Sequence, residues 1–497
     1  MQPSIIDAIL RQCERQPDAT ALIGEQHELS YQDLGSAIEQ IGALLHTLPY
    51  KTIGLALDNS PLWAVLDLAG MSAGKIIIPL PFFFSPEQIA HSIKDAGISC
   101  ILTDNPDQYQ QILSATKLTT KSSYSHVISG QEITEIRLAD IPAQQLPEGT
   151  VKVTYTSGTT GNPKGVCLSA EALYRVADSL LDATDGNPDD RHVSVLPLST
   201  LLENLAGVYV PLLAGATCHL LPLAAVGLTG SSGLDIKKML SALIRFEATT
   251  TILTPQLLHA VVAAVEAGHP KPPLRFCAIG GATVSERLLR RAEALHIPVF
   301  EGYGLSECAS VVALNTEKHR KIGSVGRPLP HVRLKFADDG EILAGGATLL
   351  GYTGDEPVSP DAYWPTGDIG HLDDDGYLHL TGRKKNIFIT SFGRNVSPEW
   401  VERELTLHPA IAQAAVFGEA RPWNVALIVP RPNATEQDIA QAIEEANLVL
   451  PDYARVKCWM PAKAPFLPQN GQLTANGRLK RDAILAQYQA DMDKLYQ

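Results

Sequence analysis

Short apolar runs rich in β-branched residues alternate with helix-start signals over about the first 300 residues, and this alternation constrains the fold most. Ser85–Pro86 followed by Gln88 has the cap, the proline and the third-position amide of a strong helix start, and Ser285 begins a weaker one. Strand–helix alternation of this length predicts parallel sheets covered by helices. The predicted strands are Ile53–Leu57, Lys75–Pro79, Cys100–Thr103, Val151–Tyr155, His192–Leu196, Thr250–Leu253, Phe276–Ile279 and Val299–Phe300.

The pattern changes after about residue 325. The turns Asp338–Gly340 and Asp374–Gly376 each separate two β-prone runs, which predicts two hairpins. From about residue 384 the sequence predicts a strand at Asn386–Thr390 and a helix capped by Ser397–Pro398. Further strands near Ala412–Phe417 and Asn424–Val429 and a helix near Glu436–Asn447 complete a compact unit.

The predicted fold class is therefore α/β with two domains. A large N-terminal domain, residues 1–383, contains parallel-rich sheets covered by helices and a small antiparallel β subdomain at about 325–383. A compact, mobile α+β domain follows at 384–497. Because no Gly/Ser-rich linker separates the two, we expect a hinge near Lys384–Lys385.

Composition excludes several kinds of partner and compartment. The formal net charge of −14, without a block of Lys and Arg, argues against nucleic-acid binding. The seven cysteines are dispersed and lack CxxC spacing, which suits a reducing compartment, and no signal peptide is recognisable, so we expect a cytoplasmic protein. The most apolar run, Ile76–Phe84, has nine residues and is too short to span a membrane, which needs about 20.

The segment TYTSGTTGNPKG, Thr154–Gly165, has the composition of a phosphate-binding loop. Its hydroxyls and glycines can present many O–H and N–H donors to phosphate oxygens, and Lys164 adds a positive charge. It matches neither the Walker pattern nor the GxGxxG pattern. The sequence places it between the strand Val151–Tyr155 and a helix that begins near Ser169.

This segment resembles the signature of the adenylate-forming, AMP-binding superfamily, which includes acyl-CoA synthetases, peptide-synthetase adenylation domains and luciferases. The resemblance extends in the family's order through Gly280–Ala282, Gly302–Glu307, Gly326–Pro328, Thr366–Asp368, Gly382–Lys385 and Gly393–Glu399. Ser306 stands where the family has threonine and keeps the hydroxyl. The segment GRKKNIFITSFGRNVSPEWVE is most similar to the bacterial long-chain acyl-CoA synthetase branch.

The resemblance implies two half-reactions. A carboxylate attacks the α-phosphorus of ATP to give an acyl-adenylate and pyrophosphate, and a thiol, usually that of coenzyme A, then displaces AMP. The acid is expected to be a medium- to long-chain fatty acid, because the aspartate that amino-acid-activating relatives use is absent from Leu196–Glu203. The expected cofactors are ATP, Mg²⁺ and coenzyme A.

The resemblance also assigns roles to individual residues. Glu307 and Thr156 are expected to hold Mg²⁺, Asp368 to accept the ribose hydroxyls, Arg383 to support ribose and phosphate, and Tyr303 to stack on adenine. Lys385 is the expected hinge of a C-terminal domain that rotates between the half-reactions. The complete set of expected nucleotide-binding residues is Thr156, Ser157, Gly158, Thr159, Thr160, Gly161, Lys164, Gly280, Gly281, Ala282, Gly302, Tyr303, Gly304, Ser306, Asp368 and Arg383.

Two positions depart from the family pattern. Arg478 occupies the place of a lysine that bridges the carboxylate and the α-phosphate, and Lys480 could replace it only if the loop shifted register. Thr200 stands where the synthetase branch usually has histidine. These departures keep open a catalytically impaired nucleotide- or acyl-binding homologue. A second, enzymatic alternative is a fatty acyl-AMP ligase that loads an acyl carrier protein.

Overall fold

The computed structural model describes residues 4–128, 130–156, 163–229, 233–474 and 477–497. Among these residues no helix is both long and apolar enough to cross a membrane. The predicted residues Ser157, Gly158, Thr159, Thr160 and Gly161 lie outside the described ranges.

The chain up to Pro328 forms most of two large sheets, the helices that cover them and a separate two-stranded ribbon. Its strands are β1 (Thr20–Ile23), β2 (Glu28–Ser30), β3 (Thr52–Ala56), β4 (Ile76–Pro79), β5 (Cys100–Thr103), β6 (Thr120–Ile128), β7 (Gln131–Leu138), β8 (Thr150–Thr156), β9 (Lys164–Ser169), β10 (Arg191–Val193), β11 (Thr217–His219), β12 (Leu228–Thr229), β13 (Gly233–Leu234), β14 (Thr250–Leu253), β15 (Phe276–Ile279), β16 (Val299–Leu305), β17 (Ser310–Leu314) and β18 (Arg327–Pro328).

Two helix starts of this region were predicted from their capping residues, and the structure contains both. Ser85 and Gln88 form the expected capping box, and Ser285 accepts from the Arg287 amide. The helices are α1 (Ile5–Arg15), α2 (Tyr31–Thr47), α3 (Pro61–Ser72), α4 (Pro86–Asp95), α5 (Pro106–Ala115), α6 (Ala170–Ala183), α7 (Val210–Ala214), α8 (Ile236–Arg245), α9 (Pro255–Glu266) and α10 (Glu286–Ala294), with a π-helical segment at Glu203–Tyr209 and a 3₁₀ turn at Ser306–Cys308.

Both sheets have a parallel centre and antiparallel edges. In the described residues one sheet has the order β18-β17-β16-β15-β14-β10-β11-β1-β2, and its strands from β16 to β1 are parallel. In the other sheet β8, β4, β3 and β5 are parallel to their neighbours in that order. The predicted parallel-rich α/β architecture is confirmed.

The second half contains two smaller antiparallel-rich units. The strands β19 (Arg333–Phe336), β20 (Glu341–Gly345), β22 (Trp364–Leu372) and β23 (Leu378–Arg383) form the hairpins predicted from the two Asp-Asp-Gly turns, and β21 (Gly351–Tyr352) joins the edge of β9 instead. The C-terminal region contains β24 (Phe388–Ile389), β25 (Asn395–Val396), α11 (Pro398–Thr406), β26 (Ile411–Phe417), β27 (Asn424–Pro430), α12 (Glu436–Val449), β28 (Val456–Pro461) and α13 (Arg481–Met492).

Four local predictions are corrected by the structure. The segment that begins at Lys164 is a strand, β9, paired with β8, so the phosphate loop connects a hairpin rather than a strand and a helix. The strand predicted to reach Leu196 ends at Val193, because the Leu196 carbonyl accepts from the Asn59 side chain. The strand Asn386–Thr390 is reduced to Phe388–Ile389.

The fourth correction concerns the start of α11. Ser397 precedes Pro398 as predicted, but its side chain does not accept from the backbone of the helix. The Ser397 hydroxyl donates to Glu399 Oε2 at 3.2 Å instead. A serine that uses its hydroxyl in this way leaves the first helical amides without the predicted cap.

Candidate active site

A large cleft opens where the carboxyl ends of β15 and β16 face the C-terminal region. Its volume is about 2530 Å³, and its walls include the turns after both strands together with parts of β22, β23, α11 and the segment before α13. Clefts at the carboxyl ends of parallel strands are the usual binding sites of open α/β sheets.

A buried tyrosine–carboxylate–arginine group lies in one wall of this cleft. The Tyr303 hydroxyl donates to Asp368 Oδ2 at 2.7 Å, and Arg383 Nε lies 3.0 Å from Asp368 Oδ1. Asp368 and Arg383 are cross-strand neighbours on β22 and β23, and Arg383 also donates to the Thr366 carbonyl. The sequence-predicted motifs around residues 303, 368 and 383 are therefore brought into direct contact.

Burial and charge act in opposite directions on Asp368. Removal from water raises the pKa of this carboxyl, while Arg383 and the hydrogen bond from Tyr303 lower it. Burial, reinforced by the Asp368 charge, raises the pKa of Tyr303, so the phenol stays protonated and remains a donor. An ionised carboxylate has about four lone-pair sites, so Asp368 retains acceptor capacity toward the cleft.

The turn that carries Glu307 has an unusual backbone. Ala309 and Ser310, directly after the 3₁₀ turn, have φ angles of 51° and 102°, which non-glycine residues rarely adopt. Gly304 faces this turn so closely that an added Cβ would lie 1.6 Å from the Ser310 carbonyl oxygen. Such backbone outliers concentrate at functional sites, where the surrounding structure holds them in place.

Tyr352, which the sequence did not identify as a site residue, connects Glu307 to the β8–β9 hairpin. Its hydroxyl donates to Glu307 Oε1 at 2.8 Å, and Lys164 Nζ lies 4.9 Å from the centre of its ring. Thr156 and Lys164 are cross-strand partners at the loop end of the β8–β9 hairpin, where β8 ends and β9 begins. The only local signal for Tyr352 is an aromatic residue next to Gly351, which is too general to identify it.

The predicted adenine-side turn packs against the segment that follows Thr200. A Cβ added to Gly280 would lie 2.8 Å from Leu202 Cδ2, and Gly281 has a φ of 84°. Ala282, Gly302, Ser306 and Thr200 line the same cleft. The Thr200 hydroxyl donates to the Pro197 carbonyl at 2.7 Å, so it is already engaged within its own turn.

Arg478 and Lys480, the two cations of the late motif, both line the cleft. The Arg478 side chain is exposed to the cleft. Partial removal from water between the cleft walls and the charge of Arg383 lower the pKa of Arg478, while Asp368, Glu307 and Glu399 raise it. Among the described residues, its side chain forms no hydrogen bond or ion pair. Lys480 is partly buried at the rim of the same cleft, where it precedes α13.

A buried ion pair fixes the segment that carries Arg478. Arg481 Nη1 and Nη2 donate to the two carboxylate oxygens of Glu402 on α11 at 2.7 and 2.6 Å. Glu402 Oε1 also accepts from the Val416 amide at 2.7 Å. Bidentate arginine–carboxylate pairs have a defined geometry, so this pair sets the position of Arg478 three residues earlier.

Lys385 lines the same part of the cleft as Arg383 and Arg478. Burial, Arg383 and Arg478 lower the pKa of Lys385, and Asp482 and Glu399 raise it. Three cations, Arg383, Lys385 and Arg478, thus lie in one part of the cleft beside carboxylates that include Asp368, Glu307 and Glu399. The cations can pair with the anionic oxygens of a polyphosphate, and because the carboxylates already balance them, a divalent cation would be needed to offset the remaining phosphate charge.

Comparison with known proteins identifies the class that this fold and this cleft define. The model of the AMP-binding enzyme family matches residues 9–352, and the model of the AMP-binding enzyme C-terminal domain matches residues 385–497. The chain belongs to the AMP-binding enzyme family, and the family prediction from sequence is confirmed.

The relatives that this chain resembles include CoA ligases of several acids. The chain is 27% identical over 531 residues to the long-chain-fatty-acid–CoA ligase FadD15 of Mycobacterium bovis, covering 87% of this chain and 86% of the relative. It is 28% identical over 503 residues to the indoleacetate–CoA ligase of Aromatoleum aromaticum, covering 94% and 95%. The crystal structure of the anthranilate CoA ligase AuaEII in complex with anthranoyl-AMP has the same fold, with a TM-score of 0.81, 20% identity and coverage of 99% and 98%.

These comparisons confirm the predicted enzyme class, an AMP-forming acid–thiol ligase of the acyl-CoA synthetase type. Enzymes of this class use ATP, Mg²⁺ and coenzyme A. The acids named for the relatives differ widely, from a long-chain fatty acid to indoleacetate. Membership of this class therefore does not by itself identify the acid, which depends on the shape and chemistry of the cleft.

Proposed function

We propose that this chain activates a medium- to long-chain fatty acid with ATP and transfers the acyl group to coenzyme A. The observation that carries the proposal is the cluster of Tyr303, Asp368, Arg383, Arg478 and Glu307 around one cleft. Residues 1–383 would form the adenylation part, with the β subdomain at about 325–383, and residues 384–497 a mobile lid.

In the first step an oxygen of the acid attacks the α-phosphorus, a P–O bond forms, and pyrophosphate leaves with the electrons of the broken bond. Arg478 would balance the charge of the acid carboxylate and the α-phosphate. In the second step the thiol sulfur of coenzyme A, having lost its proton, attacks the acyl carbon, and AMP leaves. Because the reactants repel one another, positioning and charge compensation account for most of the catalysis.

The nucleoside half of ATP is assigned to the buried wall. The two ribose hydroxyls would donate to Asp368, whose remaining lone pairs face the cleft, and Arg383 would hold that carboxylate and the neighbouring phosphate. The turn Gly280–Gly281–Ala282 and the ring of Tyr303 would enclose the adenine, with Gly302 and Gly304 permitting close approach of the backbone.

The phosphate half is assigned to the hairpin loop and to Glu307. Thr156 and Lys164, together with Ser157, Gly158, Thr159, Thr160, Gly161 and the Ser306 hydroxyl, would bind the phosphates. Mg²⁺ is usually held by one or two carboxylates plus substrate phosphates, so the single carboxylate of Glu307 with the Thr156 hydroxyl fits this ion, whose charge would offset that of the polyphosphate.

The acid is assigned to an apolar extension of the cleft. The residues assigned to this extension come from the strands β15 and β17 and from α6, the π-helical segment and α7. Apolar side chains dominate its walls, as an alkyl chain requires. They include Leu180, Ala206, Val210, Phe276, Ala278 and Leu314.

Thr200 lines the same cleft, two residues before Leu202, which contacts the Gly280 turn. It would line the approach of the acid and the thiol, although its hydroxyl is held by its own turn. The dispersed, reduced cysteines favour the cytoplasm as the compartment.

Hydroxylamine trapping across a panel of acids tests the proposal directly, because it reports the acyl-adenylate and names the acid. We expect trapping with medium- and long-chain fatty acids to depend on ATP and Mg²⁺. Addition of coenzyme A should convert the same acids to thioesters with release of AMP and pyrophosphate. Trapping without a preference for fatty acids, or none with any acid, would contradict the assignment.

A further inference from the structure

The apolar extension of the cleft ends at polar side chains. His192 and Thr250 both line it, and they are cross-strand neighbours on β10 and β14. Thr250 is in turn opposite Phe276, the first residue of β15, whereas the reacting end of the cleft lies at Gly280, four residues later. Four strand residues span about 13 Å, so these polar groups lie at the distal end of the acid.

His192 forms two hydrogen bonds at this end. Its Nε2 lies 3.1 Å from Glu203 Oε1, and its Nδ1 lies 3.0 Å from Thr250 Oγ1. The side chain of His192 is 3% exposed and that of Glu203 is fully buried. A buried polar pair of this kind is costly to form, so its presence in an apolar channel requires an explanation.

The described residues around His192 and Glu203 leave space for both side chains but do not satisfy all of their hydrogen-bonding atoms. A Cβ added to Gly207 would lie 2.5 Å from Glu203 Oε1 and 2.8 Å from His192 Nε2, so the absence of a side chain there makes the space. Among the described residues, Glu203 Oε2 is buried without a hydrogen-bond partner. Nearly all buried polar atoms in proteins are hydrogen-bonded, and exceptions often mark a functional position.

The wall beyond His192 is also polar. Arg275 Nε donates to Asp190 Oδ1 at 2.6 Å, and Arg275 Nη1 donates to the Thr184 carbonyl at 2.8 Å. All three residues line the same cleft. The methyl end of an unsubstituted alkyl chain that reached this depth would meet charged and hydrogen-bonding groups without satisfying them.

Thr250 supplies the group that can bind a ligand here. A threonine hydroxyl has one donor site and two acceptor sites. Its single bond to His192 Nδ1 leaves at least one acceptor site free, whichever of the two partners carries the hydrogen. A hydroxyl on the ligand can donate to this free acceptor site whichever way the hydrogen bond between Thr250 and His192 runs. A ketone cannot, because it carries no hydrogen to donate.

We propose that the acid of this enzyme carries a hydroxyl group on its distal half, bound by Thr250 Oγ1 and oriented through His192 and Glu203. This rests on the proposed function and narrows its substrate class from a plain fatty acid to a distally hydroxylated one. His192 and Glu203 act as positioning residues, because they reach the ligand through Thr250.

The test compares kcat/KM for matched acids, each chain length from octanoate to dodecanoate with and without a terminal hydroxyl. We expect the wild-type enzyme to prefer the hydroxylated member of at least one pair by roughly tenfold, the worth of one well-placed hydrogen bond. The Thr250→Val variant should bring that ratio to about one. A wild-type ratio of one or less at every length would overturn the proposal.

Two further measurements separate recognition from a structural role. Tyr209→Phe removes a buried hydroxyl that donates to Asp67, in a buried network with Lys152 and Asn204 that does not include His192 or Thr250. It should keep the substrate ratio, and loss of the ratio in this variant as well would overturn the proposal. Calorimetric binding of the acids alone, without ATP, reports the same ratio even when no acyl-adenylate forms, so failure of this inference is distinguishable from failure of the proposed function.

Discussion

At the scale of single residues, Asp368 has the most demanding position in the cleft. It is buried, which disfavours its charge, yet Tyr303 and Arg383 use only part of its acceptor capacity. The remaining lone pairs face the space assigned to ribose, so the carboxylate has a reason to be ionised there.

The Asp368→Asn variant should therefore bind ATP about 10- to 100-fold more weakly, the loss expected for hydrogen bonds to a charged acceptor. Titration calorimetry with ATP and Mg²⁺ measures this change. Asp361→Asn is the matched control, because its side chain is 96% exposed and lies far outside the charged centre. Equal ATP affinity in the wild type and Asp368→Asn would contradict the ribose assignment.

Arg478 is the residue whose substitution separates the two half-reactions. It acts electrostatically on Asp368 and Glu307, and its segment is held by Arg481 and Glu402. Removal of one transition-state donor typically costs about 10²–10³ in rate, so Arg478→Ala should slow acyl-adenylate formation by that factor.

Conversion of a supplied acyl-adenylate to the thioester should change little in Arg478→Ala, because that step does not use the bridge to the α-phosphate. Arg478→Lys keeps the charge and should retain or raise adenylation, and Arg290→Ala, an exposed surface arginine, should leave both steps unchanged. Unchanged adenylation in Arg478→Ala would show that Lys480 or another cation serves this step.

At the scale of elements, the contact between β16 and α11 includes the buried carboxyl group of Glu301, whose pKa is shifted. Glu301 on β16 is buried, and burial raises its pKa to about 7 from the ordinary value of 4.5. Its Oε1 accepts from the Val284 amide, Arg403 on α11 lowers the pKa, and Glu286 raises it. The carboxyl therefore holds its proton more tightly in the folded state than in the unfolded state.

Folded-state stability should consequently fall as the pH rises from about 4.5 to about 7, because the folded protein binds the extra proton in that range. Two to three pKa units correspond to about 3 kcal/mol. Glu301→Gln removes the pH-dependent contribution of this carboxyl. The free energy of unfolding of the variant minus that of the wild type should therefore rise between about pH 4.5 and about pH 7 and stay constant above that range. Urea unfolding at a series of pH values measures the difference, and a pH-independent difference would refute the assignment.

At the scale of the whole molecule, the cleft is made by two parts of one chain that meet at Lys385. The neighbouring amides of Lys384 and Asn386 donate to the Gly367 and Arg383 carbonyls, whereas no backbone partner for the Lys385 amide is present among the described residues. A residue whose amide is free can change its backbone angles without breaking a hydrogen bond, as a hinge requires.

Lys385→Pro should fix this hinge, because proline restricts φ to about −65°. We expect acyl-adenylate formation to continue within a few-fold of wild type while thioester formation falls by at least an order of magnitude, as measured by single-turnover assays of each step. Lys385→Ala, which leaves the backbone free, should retain both steps. Parallel loss of both steps in Lys385→Pro would indicate damage to the fold rather than a locked hinge.

Much of this architecture follows from local sequence. Ser85, Gln88 and Ser285 mark helix starts that the structure contains, because a cap depends on atoms within one helical turn. The strands around residues 100, 250 and 276 were predicted to the residue, since buried parallel strands read as short apolar runs. The ordered motifs likewise identified the family without reference to three-dimensional contacts.

What the sequence by itself determined is thus the set of elements, the α/β class and the family. Tertiary structure alone decided that Lys164 begins a strand paired with β8, that Tyr352 bridges Glu307 and Lys164, and that His192 and Thr250, 58 residues apart in sequence, meet in the wall of the cleft. The physical reason is range: periodicity and capping report neighbours a few residues apart, whereas these contacts form only when distant segments are packed against one another.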